Sequence, residues 1–169
     1  DSFRDYEFVL ELASNLDHLS FKIITSQITT DKVKSIENIE LINGKWSKNL
    51  LSDSEILEIY NKSRLTILPL KNTIQPSGQS VALQSMSAGT PVMITKIDGF
   101  WDEEIFENNL NIFFVEENNV ETWSKKIDAV LNNNTLLETI STNAKDLVHN
   151  LYNLDLFHNR LYEIMEETK

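Results

Sequence analysis

Short, nearly continuous apolar runs alternate along the chain with stretches in which apolar residues return every three or four positions. The runs are FKIIT (21–25), IELI (39–42), LTILPL (65–70), VMIT (92–95) and IFFV (112–115). Runs of this length, rich in β-branched residues, read as buried strands. The periodic stretches between them read as helices. Residues 4–17 place Phe8, Val9, Leu12, Ala13 and Leu16 on one helical face. SDSE (52–55) is a Ser-x-x-Glu capping box ahead of Ile56, Leu57 and Tyr60. Residues 79–88 predict a short helix closed by Gly89 and Pro91. Residues 101–107 predict a brief helix with an acidic start, and 119–131, 134–148 and 154–168 predict a helical tail, each with an apolar stripe. The aromatics of SFRDY and YNLDLF fall at helical spacing and are expected in the core.

Apolar strands alternating with helices predict an α/β fold. The expected form is a doubly wound, mostly parallel sheet covered on both faces, a three-layer α/β/α sandwich. No internal repeat or low-complexity linker divides the chain, so residues 1–169 are expected to form a single Rossmann-like domain. The first 20 residues carry a helix and no strand before it. A sheet of this kind ordinarily opens on a strand, which suggests a piece of a longer polypeptide whose first strand lies upstream of residue 1.

Composition narrows the function classes. The chain has no cysteine, which removes disulfides and thiolate metal sites. It has 15 basic and 26 acidic residues, a formal charge of −11. Such a surface argues against binding a nucleic-acid backbone or an anionic membrane. It leaves room for a small anion, because a local cradle of N–H groups does not depend on net charge. No run of about 18 apolar residues provides a membrane span. A cytoplasmic location is expected. His18, His149 and His158 stand at no metal or triad spacing, and no zinc-binding His motif, nucleophile elbow or Walker loop is present.

The chain has only 4 glycines and 3 prolines, yet QPSGQSVALQSMSAGTPVMIT (75–95) holds two of each. The loop KNTIQPSGQS (71–80) leaves a strand end and enters a helix near Ser80. Ligands of doubly wound sheets sit beyond the carboxyl ends of the strands. A helix N-terminus presents unpaired N–H groups and partial positive charge to a phosphate. Gly78 allows the backbone to approach a ligand, and Ser77 and Ser80 can cap the helix or donate to phosphate oxygens. The plainer reading of the same residues is a Ser-capped helix entered through a Gly turn.

LQSMSAGTPVMIT resembles the LEAMACGTPVVAT segment of family 4 glycosyltransferases of the GT-B fold. The likeness extends in order and spacing over nearly the whole chain. LSDSEILEIYNKSRLTILPL resembles the helix, Tyr and Pro-ended strand of that family. TKIDGFWDEEIFENNLNIFFVEENNVETWSKKIDAVLNN resembles its T-x-x-G-x-x-E-x-I segment and following helix, and FRDYEFVLELA its x-K-G-x-x-x-L-L-x-A opening. The resemblance implies the C-terminal, donor-binding half of a two-domain retaining enzyme that transfers a hexose from a nucleotide sugar to a glycan or lipid acceptor. It implies no cofactor and no metal, the helix N-terminus and a basic side chain acting as charge sink for the leaving diphosphate. The isolated half would bind donor weakly and be inactive.

By position, the resemblance gives the donor diphosphate to Ser77, Gly78, Gln79 and Ser80, with Arg4 as the neutralising cation. Where the family carries two glutamates, this chain has Gln84 at the ribose position and Pro76, or Gln75 if the loop is one residue longer, at the sugar position. An amide hydrogen-bonds more weakly than a carboxylate. The nucleobase is expected beside Asn43, Gly44, Lys45 and Trp46, with Trp46 able to stack on it; a loop Trp packing on its own domain is the alternative. Lys71 and Lys96 follow strand ends and read as solvated. Glu103 and Glu104 read as complementing a helix dipole, and Trp101 as stapling that helix. Two other functions fit the fold: a degenerate, non-catalytic glycosyltransferase-like scaffold, and a sugar-nucleotide epimerase. The Asn/Ile/Lys-rich composition hints at a bacterial polysaccharide pathway.

Overall fold

The computed structural model describes residues 2–44 and 51–167. Its elements run α1 (Tyr6–Asn15), β1 (Phe21–Thr25), α2 (Thr30–Val33), β2 (Ile39–Asn43), α3 (Asp53–Lys62), β3 (Thr66–Leu68), α4 (Gln79–Ser87), β4 (Val92–Thr95), β5 (Phe113–Val115), α5 (Val120–Leu131), α6 (Asn134–Leu151) and α7 (Leu154–Glu167). All five predicted strands are present, and every ladder between them is parallel. They form two ladders, β1–β2 and β3–β4–β5. Phe21 at the start of β1 packs on the same apolar cluster as Leu65, just before β3, and Ile67 within it.

Alternation along the strands divides the core in two. Val92 and Ile94 of β4 and Phe114 of β5 face a cluster completed by Ala82 and Met86 of α4 and by Ala144 and Val148 of α6. Met93, Phe113 and Val115 face the opposite way, onto Phe8 and Leu12 of α1 and Trp123 and Ile127 of α5. Strands buried on both faces must be apolar throughout, which is why they appear in the sequence as unbroken runs. The expected three-layer α/β/α arrangement is therefore present.

Several boundaries follow from local chemistry. Ser52 caps α3 through the anticipated capping box, its side chain accepting from the Glu55 amide while the Glu55 carboxylate accepts from the Ser52 amide. The strand read as 65–70 is shorter, because Pro69 has no N–H to give. Beyond it, Arg4 forms an antiparallel bridge with Leu70: the Asp5 amide donates to Pro69 O at 3.0 Å and the Lys71 amide to Phe3 O at 2.8 Å. α1 is correspondingly shorter than the predicted 4–17, with Asp5 as its N-cap.

Two expectations fail. Residues 101–107 form turns and no helix. Asp102 adopts φ 44°, outside helical backbone, and the Asn111 side chain binds both Glu107 N and Ile105 O. A single turn is closed by a side chain before a second can add to it. Phe157 is also not core: it is 60% exposed on α7, none of whose residues is buried. The aromatic spacing of YNLDLF marks an amphipathic helix whose apolar face this chain does not cover.

A buried polar link ties α4 to the sheet. Ser85 Oγ lies 2.9 Å from Thr90 O and 2.8 Å from Thr66 Oγ1, with no solvent exposure. Having one proton, it donates to the carbonyl and accepts from Thr66. Ser85→Ala strands both partners and is expected to lower unfolding free energy by about 1–2 kcal/mol, read from the urea midpoint.

Candidate donor-binding site

The carboxyl ends of β3, β4 and β5 open on a cleft of about 480 Å³ whose lining includes Asp5, Lys71, Asn72, Lys96, Asp98 and Asn118. Its floor is a hydrogen-bonded network. Thr95 Oγ1, 4% exposed, accepts from the Leu70 amide at 3.0 Å and donates to Asn118 Oδ1 at 2.7 Å. The Asn118 amide group donates to Asp5 Oδ2 at 2.9 Å and to Leu70 O at 3.0 Å. Asn118 thus joins the start of α1 to the ends of β3 and β4.

Beside this floor begins α4. Its N-cap is Gly78, at φ 92°, a left-handed conformation that glycine adopts without strain. A side chain grafted there would start 3.2 Å from Ile94 Cδ1, 3.5 Å from Leu70 Cδ1 and 3.9 Å from Arg4 Nη1. Arg4 and the mouth of α4 therefore lie close together, although 74 positions separate Arg4 from Gly78. The N-cap residue itself, Gly78, has no side chain with which to cap α4. Ser77 is buried, and Ser80 is exposed on the first turn. Burial pushes the Arg4 guanidinium below its ordinary pKa, while the nearby hydroxyls of Tyr6 and Tyr60 act in the other direction. Arginine stays charged under such a shift.

Two loops above the cleft are fastened together. The Gly99 amide donates to Thr73 O at 2.8 Å. Asn72 Nδ2 donates to Asp98 Oδ2 at 2.9 Å, and the Asp98 amide returns a bond to Asn72 Oδ1 at 3.0 Å. Gly99 lies flat on the 74–75 peptide: a Cβ there would stand 2.2 Å from Ile74 O. Farther along the loop, Tyr152 donates to Asp102 Oδ2 at 2.6 Å, and burial together with that carboxylate raises the Tyr152 pKa far above its ordinary value.

The remaining expected residues are spread around this centre. Gln75 and Pro76 are exposed on the fastened loop, and Gln79 is half-buried at the first position of α4. Gln84 is exposed on α4. Gly44 follows β2 on the other ladder, its amide bonded to Thr25 O at 3.2 Å. Lys45 and Trp46 lie outside the described residues. Lys71 lines the cleft and is exposed, as read. Lys96 differs: it pairs with Glu103 at 2.5 Å and lies 5.8 Å from the Phe114 ring centroid. The Glu103 carboxylate raises its pKa. Glu103 is thus a counter-ion to Lys96, with no helix dipole to complement. Trp101 is buried against Phe100 and Phe106, although not as a helix staple. Sequence reading missed Asp5, Asn72, Thr95, Asp98, Gly99 and Asn118. Asp5, directly before an apolar helical pattern, carried an N-cap signal.

The family model described as glycosyl transferases group 1 matches residues 29–147, which include β2 to β5, α4 and, apart from Asp5, the lining of the cleft. The chain belongs to this glycosyltransferase family. The uncharacterised glycosyltransferase MJ1607 of Methanocaldococcus jannaschii is 31% identical over 98 residues, 58% of this chain and 24% of that protein. In structure, the chain is similar to a glycosyltransferase from Rickettsia africae, with TM-score 0.74 and 23% identity, over 99% of this chain and 45% of the other. Anabaena HepE, solved in complex with UDP, gives TM-score 0.79 at 12% identity over 99% and 46%. The C-terminal domain of the Francisella tularensis group 1 glycosyl transferase LpcC gives 0.69 at 20% identity, over 91% and 82%. These likenesses show the fold, the Rossmann-like layer of GT-B glycosyltransferases. The chain spans less than half the length of MJ1607, the Rickettsia enzyme and HepE. Among the described residues, no helix is long and apolar enough to cross a membrane.

Proposed function

We propose that this glycosyltransferase domain binds the donor nucleotide sugar of a retaining transfer of a hexose to a glycan or lipid acceptor. The observation that carries the reading is the convergence of Arg4 on Gly78 at the start of α4, beside the carboxyl ends of the sheet. A pyrophosphate seated there meets the amides of Gln79 and Ser80, the positive end of the helix dipole and a partly desolvated guanidinium. Those groups neutralise a leaving diphosphate without a metal. Gln84 takes the ribose and Gln75 the transferred sugar, each by amide hydrogen bonds. Gly44, Lys45 and Trp46 take the base. UDP in HepE supports a nucleotide diphosphate as the ligand.

Acceptor and catalytic base belong to a further domain in this reading, so the piece alone binds donor and transfers nothing. Calorimetric titration of UDP, GDP and ADP and their hexose conjugates tests it. One nucleoside diphosphate is expected to bind with its sugar conjugate, without added metal. Failure of all of them would leave the scaffold reading. Turnover by the isolated domain would overturn the division of labour.

A further inference from the structure

The cradle and network above account for the diphosphate end of a donor. They leave unexplained why the loop after β3 and the loop after β4 should be fastened at three points. Both loops are exposed, and neither contributes to the apolar clusters through residues 71–75 or 98–99. Packing therefore does not require the fastening.

The three points have different chemistry and one geometric result. The Asn72 carboxamide is used from both ends, donating to the Asp98 carboxylate and accepting from the Asp98 amide. Such a two-point contact fixes orientation as well as distance, as a single bond would not. The Gly99 amide reaches Thr73 O one step further along. Gly99 itself lets the two backbones touch at the 74–75 peptide. The Gln75 amide closes the tip by donating to Thr73 Oγ1 at 3.0 Å. All of these bonds hold the peptide that enters Gln75. The Ile74 side chain, 86% exposed, takes no part.

We propose that Asn72 and Asp98 are positioning residues for donor selectivity. They hold Gln75 where it meets the transferred sugar, and act on the sugar end of the donor without touching the diphosphate cradle. The inference rests on the donor-binding reading and adds a residue pair to it. A neutral amide gains little from charge, so its contribution depends on being held in the right place before the ligand arrives. The family resemblance puts Pro76, or Gln75 if the loop is one residue longer, where the family has a carboxylate; only Gln75 has a side chain able to hydrogen-bond, and the clamp supplies its placement.

The test uses three forms of the full-length protein: wild type, Asn72→Leu, and the swap Asn72→Asp with Asp98→Asn. The leucine variant breaks both bonds. The swap keeps both, with the Asp98→Asn side chain now donating and the Asn72→Asp carboxylate accepting, and leaves net charge unchanged. Affinities for a nucleoside diphosphate and for its sugar conjugate are measured side by side, together with amide hydrogen exchange at Asp98 and Gly99. Asn72→Leu is expected to weaken the sugar conjugate about tenfold, leave the bare diphosphate within about twofold, and speed exchange at both amides. The swap is expected to restore all three readouts. Parallel loss of both ligands, no change in the sugar conjugate, or a swap that fails to restore it overturns the positioning role. If wild type binds neither ligand while exchange still responds to Asn72→Leu, the clamp exists and the donor-binding reading has failed, taking this role with it.

Discussion

Gly99→Ala is expected to destabilise the domain by about 1–3 kcal/mol and to weaken sugar-nucleotide binding at least tenfold. The reason is steric and local. The added Cβ would lie 2.2 Å from Ile74 O and 2.3 Å from Ile74 C. Optimal separation of non-bonded heavy atoms is about 3.5–4.0 Å, so the overlap exceeds about 1 Å. The obstructing atoms are backbone, which cannot rotate aside as a side-chain tip can. One loop must withdraw, and the Gly99–Thr73 and Asn72–Asp98 bonds go with it. Gly89→Ala is the informative control. Gly89 has φ 85°, but its nearest neighbour to a new Cβ is Ser141 Oγ at 3.6 Å, an ordinary contact. That change strains the backbone at the far end of α4 and leaves the clamp alone. Urea midpoints for both variants, with sugar-nucleotide affinity for each, separate the effects. Equal affinity in the two variants would show that the loops are not held by contact at Gly99.

The sequence made the layers readable and left much of the site hidden, for physical reasons visible in particular residues. VMIT and IFFV are apolar throughout because β4 and β5 are buried on both faces, and this leaves a local signature. Gly89 and Pro91 punctuate the α4–β4 junction in the same local way. Gly99 carries no such mark. Its requirement comes from the 74–75 peptide on another loop, and nothing in its own neighbours records that approach. Thr95, Asn118 and Asp5 are joined across the chain by side-chain bonds, and pairs of that kind follow no spacing rule. The predicted helix at 101–107 failed for the opposite reason. Its acidic start is a genuine helix-opening pattern, overridden by the Asn111 side chain and by Asp102 bound to Tyr152. Glu103 then satisfies Lys96 instead of a helix end. The approach of Arg4 to Gly78 follows no spacing rule in the sequence. The bridge of Arg4 to Leu70 is what produces it.

Arg4→Leu is expected to weaken a nucleoside diphosphate about 10- to 100-fold. Arg4 is held partly out of water, and burial already presses its pKa downward. A guanidinium at the α4 mouth attracts phosphate across a medium less polar than bulk water, where each charge contact is stronger. The helix N-terminus alone, equivalent to about half a charge, remains in the variant and retains part of the affinity. The loss should therefore be specific to the phosphates. The unphosphorylated nucleoside should bind both forms alike, and the salt dependence of diphosphate binding should shrink in the variant. Calorimetry with nucleoside and nucleoside diphosphate at two salt concentrations, with a thermal melt of each form, provides every readout. A diphosphate bound equally by wild type and Arg4→Leu would place the anion elsewhere in the cleft and remove Arg4 from the cradle.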